Sequence, residues 1–492
     1  MRLTKLIETV DCRVIGEETD CEREIITLSI DSRKKTVGGL FFCLSGENAD
    51  GHEYAVEAVK NGAVAIVCAR PISVNVPQIL VNNVRICMGK IAAVFYGNAA
   101  EKMQVIGITG TNGKTTTSYM LAEILKKAGK KVGIIGTLGV SYGRKTLPPL
   151  LTTPDPIELH EIFADMYLCG IEYVVMEVSA HALYYHKTDG IRFAAAVFTN
   201  FTQDHLDFYQ DMDMYKRAKF HLFQQNTPPV AVLNGDDSVG RELGILCEKQ
   251  GIKTVFYGLN TPVDAFAIIT DESLRGTECM LNINDELCRV SLSMAGRHNV
   301  YNALAAAVCA MEIGLETRAI SDGLSTICGV EGRLQWVGSY NGGEIYVDFA
   351  HTPDGLANSL DALKTHCRGR LICLFGCGGN RDKTKRPIMG ETAAKKADFS
   401  ILTSDNPRYE DPLDIISDIE KGYRRFSPRY VIIPDRKRAL DYALDCLQKG
   451  DVLLVAGKGG ERHQEIMGIK YNFNDQDSII KLLEEKGKTL RS

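Results

Sequence analysis

The sequence predicts an α/β protein in three segments, each built on a mostly parallel sheet. Short, continuous apolar runs alternate with helical stretches from end to end, the pattern of strands covered on both faces. A glycine-rich loop at 107–117 joins one such run to a helix. The length of 492 residues suits about three domains at ~150 residues each.

Residues 1–98 carry the runs Leu40–Leu44, Ala63–Cys68 and Gln78–Val81, with a helical stretch at Tyr54–Asn61 between the first two. They form a small α/β domain. The central segment, 99–330, opens on the glycine-rich loop and continues with strands at Val132–Gly136, Tyr173–Val178, Ala194–Thr199 and Val230–Asn234. The third segment, 331–492, repeats the alternation with strands at Ile345–Asp348, Leu371–Phe375, Phe399–Leu402, Tyr430–Ile433 and Val452–Val455. In such sheets functional side chains gather where strands end.

Bulk properties narrow the function. A net charge of −5 and a pI near 6.1 speak against nucleic-acid or anionic-membrane binding, so a phosphate ligand must be held by local basic groups. No stretch approaches 18 apolar residues, and Met1–Glu8 lacks the apolar core of a leader. The fifteen cysteines are scattered without Cys-x-x-Cys spacing, which fits reduced thiols in a cytoplasmic protein. No obligate protein partner is evident.

The loop reads Gly107-Ile-Thr-Gly-Thr-Asn-Gly-Lys-Thr-Thr-Thr117. Gly110, Thr111, Asn112, Gly113, Lys114, Thr115 and Thr116 would cradle nucleotide phosphates. Backbone N–H groups and the helix dipole meet the anion, Lys114 adds a point charge, and the Thr115 hydroxyl helps to hold Mg²⁺. The strict Walker spacing has a glycine where this chain has Ile108.

Further polar groups end other strands. Glu177 stands where a magnesium ligand is expected, the alternative being a surface glutamate paired with a lysine. His205, in Asp204-His-Leu-Asp207, is either a ligand or an ordinary loop histidine. Lys219 lies in a helical pattern and on that pattern alone reads as a solvated lysine. In the third segment Asp348–Asp354, Gly376–Lys383, Thr403–Arg408 and Ala456–Glu461 each follow a strand. Their mix of arginine, amide and carboxylate suits a zwitterion.

These motifs, in this order, resemble the Mur ligases of bacterial peptidoglycan synthesis over essentially the whole chain, and among them the tripeptide synthetases, the MurE branch. The resemblance rests on Asp31–Arg33, Gly46–His52, Thr109–Thr116, Thr152–Asp155, Glu177–Leu183, Asp204–Asp207, Gly296–Asn302, Gly332-Arg333, Asp348–Pro353, Gly378–Asp382, Asp405–Arg408 and Gly457–Glu461. It implies a UDP-MurNAc-binding domain at 1–98, a central P-loop ATPase domain at 99–330 and a Rossmann-like amino-acid-binding domain at 331–492. It implies ATP and Mg²⁺ as cofactors and a reaction that phosphorylates the D-glutamate side chain of UDP-N-acetylmuramoyl-L-alanyl-D-glutamate. The acyl phosphate is then captured by a diamino acid.

Residue by residue, the resemblance makes Lys114, Glu177, His205 and Lys219 the catalytic and metal set with Thr115, Lys219 being the lysine that is carbamylated in these ligases. Ile30, Ser32, Glu47, Asn48 and Ala49 map to the uridine pocket. Thr152, Thr153, Ser179, Tyr185 and Lys187 map to muramoyl-peptide contacts, Asn299 and Asn302 lie near the adenine, and Arg333 meets phosphate. Arg381, Asp405, Asn406, Pro407, Arg408, Gly457 and Glu461 match the pocket of the added amino acid. The Asp-Asn-Pro-Arg form implies meso-diaminopimelate, because the Arg408 fork can pair a distal carboxylate that L-lysine lacks. Relatives commonly have Gln, Arg, Tyr and His where this chain has Tyr185, Lys187, Phe349 and Gly460. L-Lysine is the alternative substrate. A regulatory P-loop module would explain 107–117 and leave Arg381, Arg408 and Glu461 without a purpose.

Overall fold

Strand-forming runs are legible here because a doubly covered sheet makes every residue of a strand apolar. The C-terminal sheet shows this directly. Ile345, Val347, Ile372, Leu374, Leu453 and Val455 pack against Ala439, Leu440, Ala443 and Leu444. The alternate residues Tyr346, Leu371, Cys373, Phe375 and Leu454 pack against Leu356, Leu360, Met389 and Ile415. Successive side chains leave opposite faces, so both layers of helices draw on one continuous run.

The computed structural model describes residues 1–16, 22–46, 49–149, 151–224 and 227–487. The chain packs into two compact units, one of Met1–Gly107, Lys131–Ala196 and Ala218–Pro229, the other of Ile108–Lys130, Val197–Arg217 and Val230–Ser492. In the first, the N-terminal sheet runs in the order Arg13–Ile15, Gln78–Leu80, Ala63–Cys68, Gly39–Phe42, Thr27–Ser29. Only the Arg13–Ile15 pairing is antiparallel. The same unit pairs Tyr173–Glu177 parallel with Val132–Gly136, which then turns back through Gly139–Tyr142 and Lys145–Leu147.

The second unit pairs Val230–Asn234 parallel with Lys253–Gly258, and Ala265–Ser273 continues the sheet. From there an antiparallel meander, Ala265–Ser273, Gly276–Ile283 and Glu286–Leu292, extends it. The C-terminal sheet runs Gln335–Tyr340, Gly343–Asp348, Val452–Ala456, Leu371–Phe375, Phe399–Leu402, Tyr430–Ile432, antiparallel only at its first pair. Four neighbouring strands of this sheet therefore end side by side, and the polar loops that follow them share one edge. The fold is mixed α/β, with a large, parallel-rich central sheet and smaller N-terminal and C-terminal sheets.

The sequence-based strands of all three segments appear within a residue or two of their expected bounds. The antiparallel additions are new. The parallel part of the central sheet was expected; the meander at 265–292 carries alternating burial, which a search for continuous apolar runs passes over. Nine of the described cysteines, from Cys43 to Cys377, are buried free thiols that fill the core.

Candidate active site

The phosphate loop follows Gln104–Thr109 and starts the helix Lys114–Lys127, whose N-cap is Gly113. Two glycines are obligatory. Gly110 sits at φ +147°, where a Cβ would collide with Thr199 Oγ1, and Gly113 at φ +85°, where it would collide with Asn302 Oδ1. Asn200 clamps the loop: its Oδ1 accepts from Asn112 N (2.9 Å) and its Nδ2 donates to Asn112 O (3.2 Å). Lys114 Nζ donates to the carbonyls of Gly110 (2.8 Å) and Thr111 (2.9 Å). The Thr115 hydroxyl accepts from Arg333 Nη2 at 2.9 Å, and the Arg333 guanidinium lies 4.4 Å over the Phe349 ring. Thr116 is buried in the first turn. Asn299 and Asn302 are buried on the helix Arg297–Glu312, where Asn302 Nδ2 donates to Asn299 Oδ1 (3.2 Å), beneath Gly113.

Gly113→Ala is expected to destabilise the protein by about 1–3 kcal/mol, the scale of a forced backbone conformation, and to raise KM for ATP. Denaturant unfolding and an ATP titration check both.

A second cluster centres on Asp204, 3% exposed. Its Oδ2 lies 3.3 Å from His205 Nε2 and 3.4 Å from His351 Nε2, and its Oδ1 accepts from Lys385 Nζ at 3.2 Å. Burial alone would raise the Asp204 pKa. The His351 hydrogen bond, with the charges of His351, Lys385 and His205, outweighs it and holds the carboxyl well below the usual range. His205 itself is held at φ +58°. Nearby, Asp348 accepts from Leu334 N and Ala350 N, tying two loops together, while burial raises its pKa against the opposing Arg333 charge. Asp354 accepts from Asn112 Nδ2 at 3.0 Å, and burial raises its pKa too.

In the other compact unit, Glu177 is fully buried at its strand end. It accepts from Thr137 N (2.9 Å) and Thr137 Oγ1 (3.1 Å), and Gly136 leaves room for it. Thr152 Oγ1 is 3.3 Å from Thr137 Oγ1. Thr153 Oγ1 donates to Glu177 O (2.9 Å) and accepts from Ser179 N (3.1 Å), while Ser179 caps the helix Ala180–Tyr184. Tyr185 lies under the Arg85 guanidinium at 4.5 Å, and Lys187 pairs with Asp155 at 2.8 Å. Ser32 Oγ donates to Glu57 (2.6 Å), while Ile30 and Ala49 are exposed. Glu47 and Asn48 lie outside the described residues.

Lys219 corrects the helix-pattern reading. It is 1% exposed, on Met212–Gln224, and not solvated. Tyr215, Lys219 and Leu222 stand at i, i+4 and i+7 on one buried stripe. Among the described residues no group of three His, Cys, Asp or Glu side chains is arranged to hold a metal.

The loops at the end of the C-terminal sheet bring the expected amino-acid-pocket residues together. Lys458 is fully buried and donates to Asn406 Oδ1 (3.0 Å), Glu461 Oε2 (2.9 Å) and His463 O (2.8 Å). Asn406 Nδ2 also donates to Glu461 Oε2 (2.8 Å), and Asn406 N to Asp405 Oδ1 (2.6 Å). Gly457, at φ +111°, passes where a Cβ would stand 2.6 Å from Asp405 Oδ2. After Pro407, Arg408 takes φ +53° and donates from Nη1 to Gly379 O (2.7 Å). Arg381 is close by: burial lowers its pKa, and the Arg408 charge adds to the effect. Gly460 packs against Gly332, where a Cβ would strike Gly460 N.

Comparison with known proteins agrees with this layout. The family model for the Mur ligase middle domain matches residues 108–310, that for the Mur ligase glutamate ligase domain 332–459, and that for the Mur ligase family catalytic domain 24–99. A protein of Caldanaerobacter subterraneus subsp. tengcongensis named UDP-N-acetylmuramoyl-L-alanyl-D-glutamate–2,6-diaminopimelate ligase is 41% identical over 490 residues, 99% of this chain and 100% of its own length. The chain belongs to the Mur ligase family. A ligase of the same name from Geobacillus thermodenitrificans is 40% identical over 92% of this chain and 94% of its own. A solved structure, also described as a UDP-N-acetylmuramoyl-L-alanyl-D-glutamate–2,6-diaminopimelate ligase, superposes with a TM-score of 0.71 at 31% identity, covering 99% of this chain and 100% of that one.

Within this Mur ligase, sequence reasoning missed several groups that organise the site. Lys385 opens the helix Lys385–Lys396, while Asn200, Asp204 and His351 stand in loops that follow strands. Their polarity in strand-ending loops was a usable signal. Lys458 gave the signal of a lysine between two glycines, which reads equally well as solvated until its burial is seen.

Proposed function

We propose that this chain is an ATP-dependent amide ligase that adds meso-diaminopimelate to UDP-N-acetylmuramoyl-L-alanyl-D-glutamate. The observation that carries the reading is the Arg408 pocket, in a chain about 40% identical along nearly its whole length to ligases named for that reaction. The γ-phosphoryl group of ATP passes to the D-glutamate side-chain carboxylate. The amine of the incoming amino acid attacks the acyl phosphate, and the tetrahedral intermediate collapses to an amide and phosphate.

The chain's residues divide this work. The loop N–H groups and Lys114 hold the phosphates and offset charge that builds during transfer. Arg333, bonded to Thr115 and stacked on Phe349, brings a second cation to the same loop. Ile30, Ser32, Glu47, Asn48 and Ala49 hold the uridine end, and Thr152, Thr153, Ser179, Tyr185 and Lys187 the muramoyl peptide. Asn299 and Asn302 support the nucleotide. Of the residues the family resemblance gives to magnesium, the Thr115 hydroxyl, the Glu177 carboxylate and a carbamylated Lys219 would offer hard oxygens and His205 an imidazole nitrogen. When bound, magnesium neutralises phosphate charge. Arg381, Asp405, Asn406, Arg408, Gly457 and Glu461 receive the amino acid, with Lys458 fixing Asn406 and Glu461 from behind. The substrates are small molecules, and the setting is the cytoplasm. Among the described residues no helix is long and apolar enough to cross a membrane.

Phosphate release tests the reading. It is expected to need ATP, Mg²⁺, the UDP-linked dipeptide and meso-diaminopimelate together. Release without the dipeptide would sink the ligase assignment. Arg408→Ala is expected to raise KM for diaminopimelate by roughly 10- to 100-fold, the loss of a charge-assisted pair, while KM for ATP stays unchanged. Equal effects on both would count against the pocket.

A further inference from the structure

Arg85 stands in the first turn of the helix Val84–Phe95, which the Asn83 side chain caps by accepting from Arg85 N (2.9 Å) and Ile86 N (3.3 Å). Val84, Cys87, Met88 and Ile91 turn the apolar stripe of this helix into the N-terminal core. Gly89 lies one turn on from Arg85 and on the same face. There the helix meets the chain at Asp189, where a Cβ on Gly89 would stand 2.4 Å from Asp189 O. That close approach draws the segment Tyr185–Gly190 along the helix. The Arg85 guanidinium is seated over the Tyr185 ring, 4.5 Å from its centre.

Arg85 also reaches the loop assigned to uridine, where its Nη2 donates to Ser45 O at 2.9 Å. Ser45 opens that loop, which Gly46 N closes by donating to Ala49 O (2.8 Å) and Ser45 Oγ by donating to Asp50 Oδ1 (3.1 Å). The neighbouring charges are already matched. Asp50 pairs with Arg70 (2.7 Å) and bonds the His52 ring (2.6 Å), and Lys187 pairs with Asp155 (2.8 Å). Among the described residues Arg85 has no carboxylate partner. A half-buried guanidinium thus joins the start of the uridine loop to the peptide-contact segment, with its charge left for an anion.

A UDP-linked sugar peptide carries an anion at that junction, because its diphosphate is the covalent link between uridine and the muramoyl group. A guanidinium fork matches phosphate oxygens. We propose that Arg85 binds the diphosphate of the UDP-linked substrate, held for that task between Ser45 and Tyr185. The proposal rests on the reading that Glu47, Asn48 and Ala49 hold uridine and that Tyr185 faces the muramoyl peptide.

The test compares UDP with uridine, which lacks the phosphates, as inhibitors competing with the UDP-linked dipeptide at saturating ATP, Mg²⁺ and amino acid. On the full-length wild type UDP is expected to bind roughly 10- to 100-fold more tightly than uridine, the worth of a charged hydrogen bond. In Arg85→Gln the inhibition constant of UDP and KM for the UDP-linked dipeptide are both expected to rise by about that factor. The inhibition constant of uridine and KM for ATP should change by less than about twofold. Arg85→Lys, which keeps the charge without the fork, is expected to retain part of the affinity for UDP. An equal loss for UDP and uridine would overturn the proposal and leave Arg85 as a positioning residue for the Ser45 loop. A raised KM for the dipeptide with UDP inhibition unchanged would overturn it too, moving the guanidinium to a carboxylate of the peptide. So would two variants indistinguishable from the wild type. A wild type that neither uses the UDP-linked dipeptide nor is inhibited by UDP needs no variant to see, and it would overturn the substrate reading itself.

Discussion

Replacing Lys114 with alanine is expected to lower kcat by roughly 10²–10³-fold, the cost of removing one preorganised charge from a developing oxyanion. Lys114 opens the helix Lys114–Lys127, and in the proposed reaction its ammonium would act beside the helix N–H groups where the transferring group becomes most negative. Its Nζ donates to backbone carbonyls of its own loop, and the loop's geometry is set by Gly110 and Gly113, which truncation leaves in place. Single-turnover phosphate release should fall with kcat, while binding of the UDP-linked dipeptide, measured by calorimetry, should not. A variant with wild-type kcat would remove Lys114 from the chemistry.

The largest stability effect is expected at Arg436. This guanidinium and the Asp475 carboxylate are both fully buried, joined by two bonds of 2.7 Å. Arg436 also donates to Ser404 O (3.2 Å) and Ala456 O (2.9 Å), the residues that lead into two pocket loops. Arg436→Ala strands a buried carboxylate and should cost about 3–5 kcal/mol, whereas replacing both partners by apolar residues of similar volume should cost far less. Trp336, the only tryptophan in the chain, lies in the C-terminal sheet, so its fluorescence in urea reports that domain. An Arg436→Ala midpoint equal to the wild type would show that the pair is not what secures these loops.

Sequence and structure part company at identifiable places. Strands such as Leu371–Phe375 and Val452–Ala456 were legible because burial on both faces writes an uninterrupted apolar run. The meander at 265–292 was missed although Thr277, Cys279, Leu281 and Ile283 alternate cleanly inward, because a one-sided strand has period two. Lys219 was read as solvated from its charge, when the stripe of Tyr215 and Leu222 already placed it inside. The phosphate loop was legible because its glycines serve the backbone locally. The Asp204 cluster was not, since His351 and Lys385 are brought to the Asp204-His205 pair from distant stretches of chain.

In the proposed reaction a carboxylate is activated at the phosphate loop and offered to a diamino acid held by Arg408. The measurement that tests it most directly is the mass of the UDP-linked product formed when ATP, Mg²⁺ and the dipeptide substrate are supplied with equal concentrations of meso-diaminopimelate and L-lysine. The expected product is heavier by one diaminopimelate residue and forms together with one phosphate per amide. A lysine adduct, or phosphate released with the dipeptide unchanged, would contradict it.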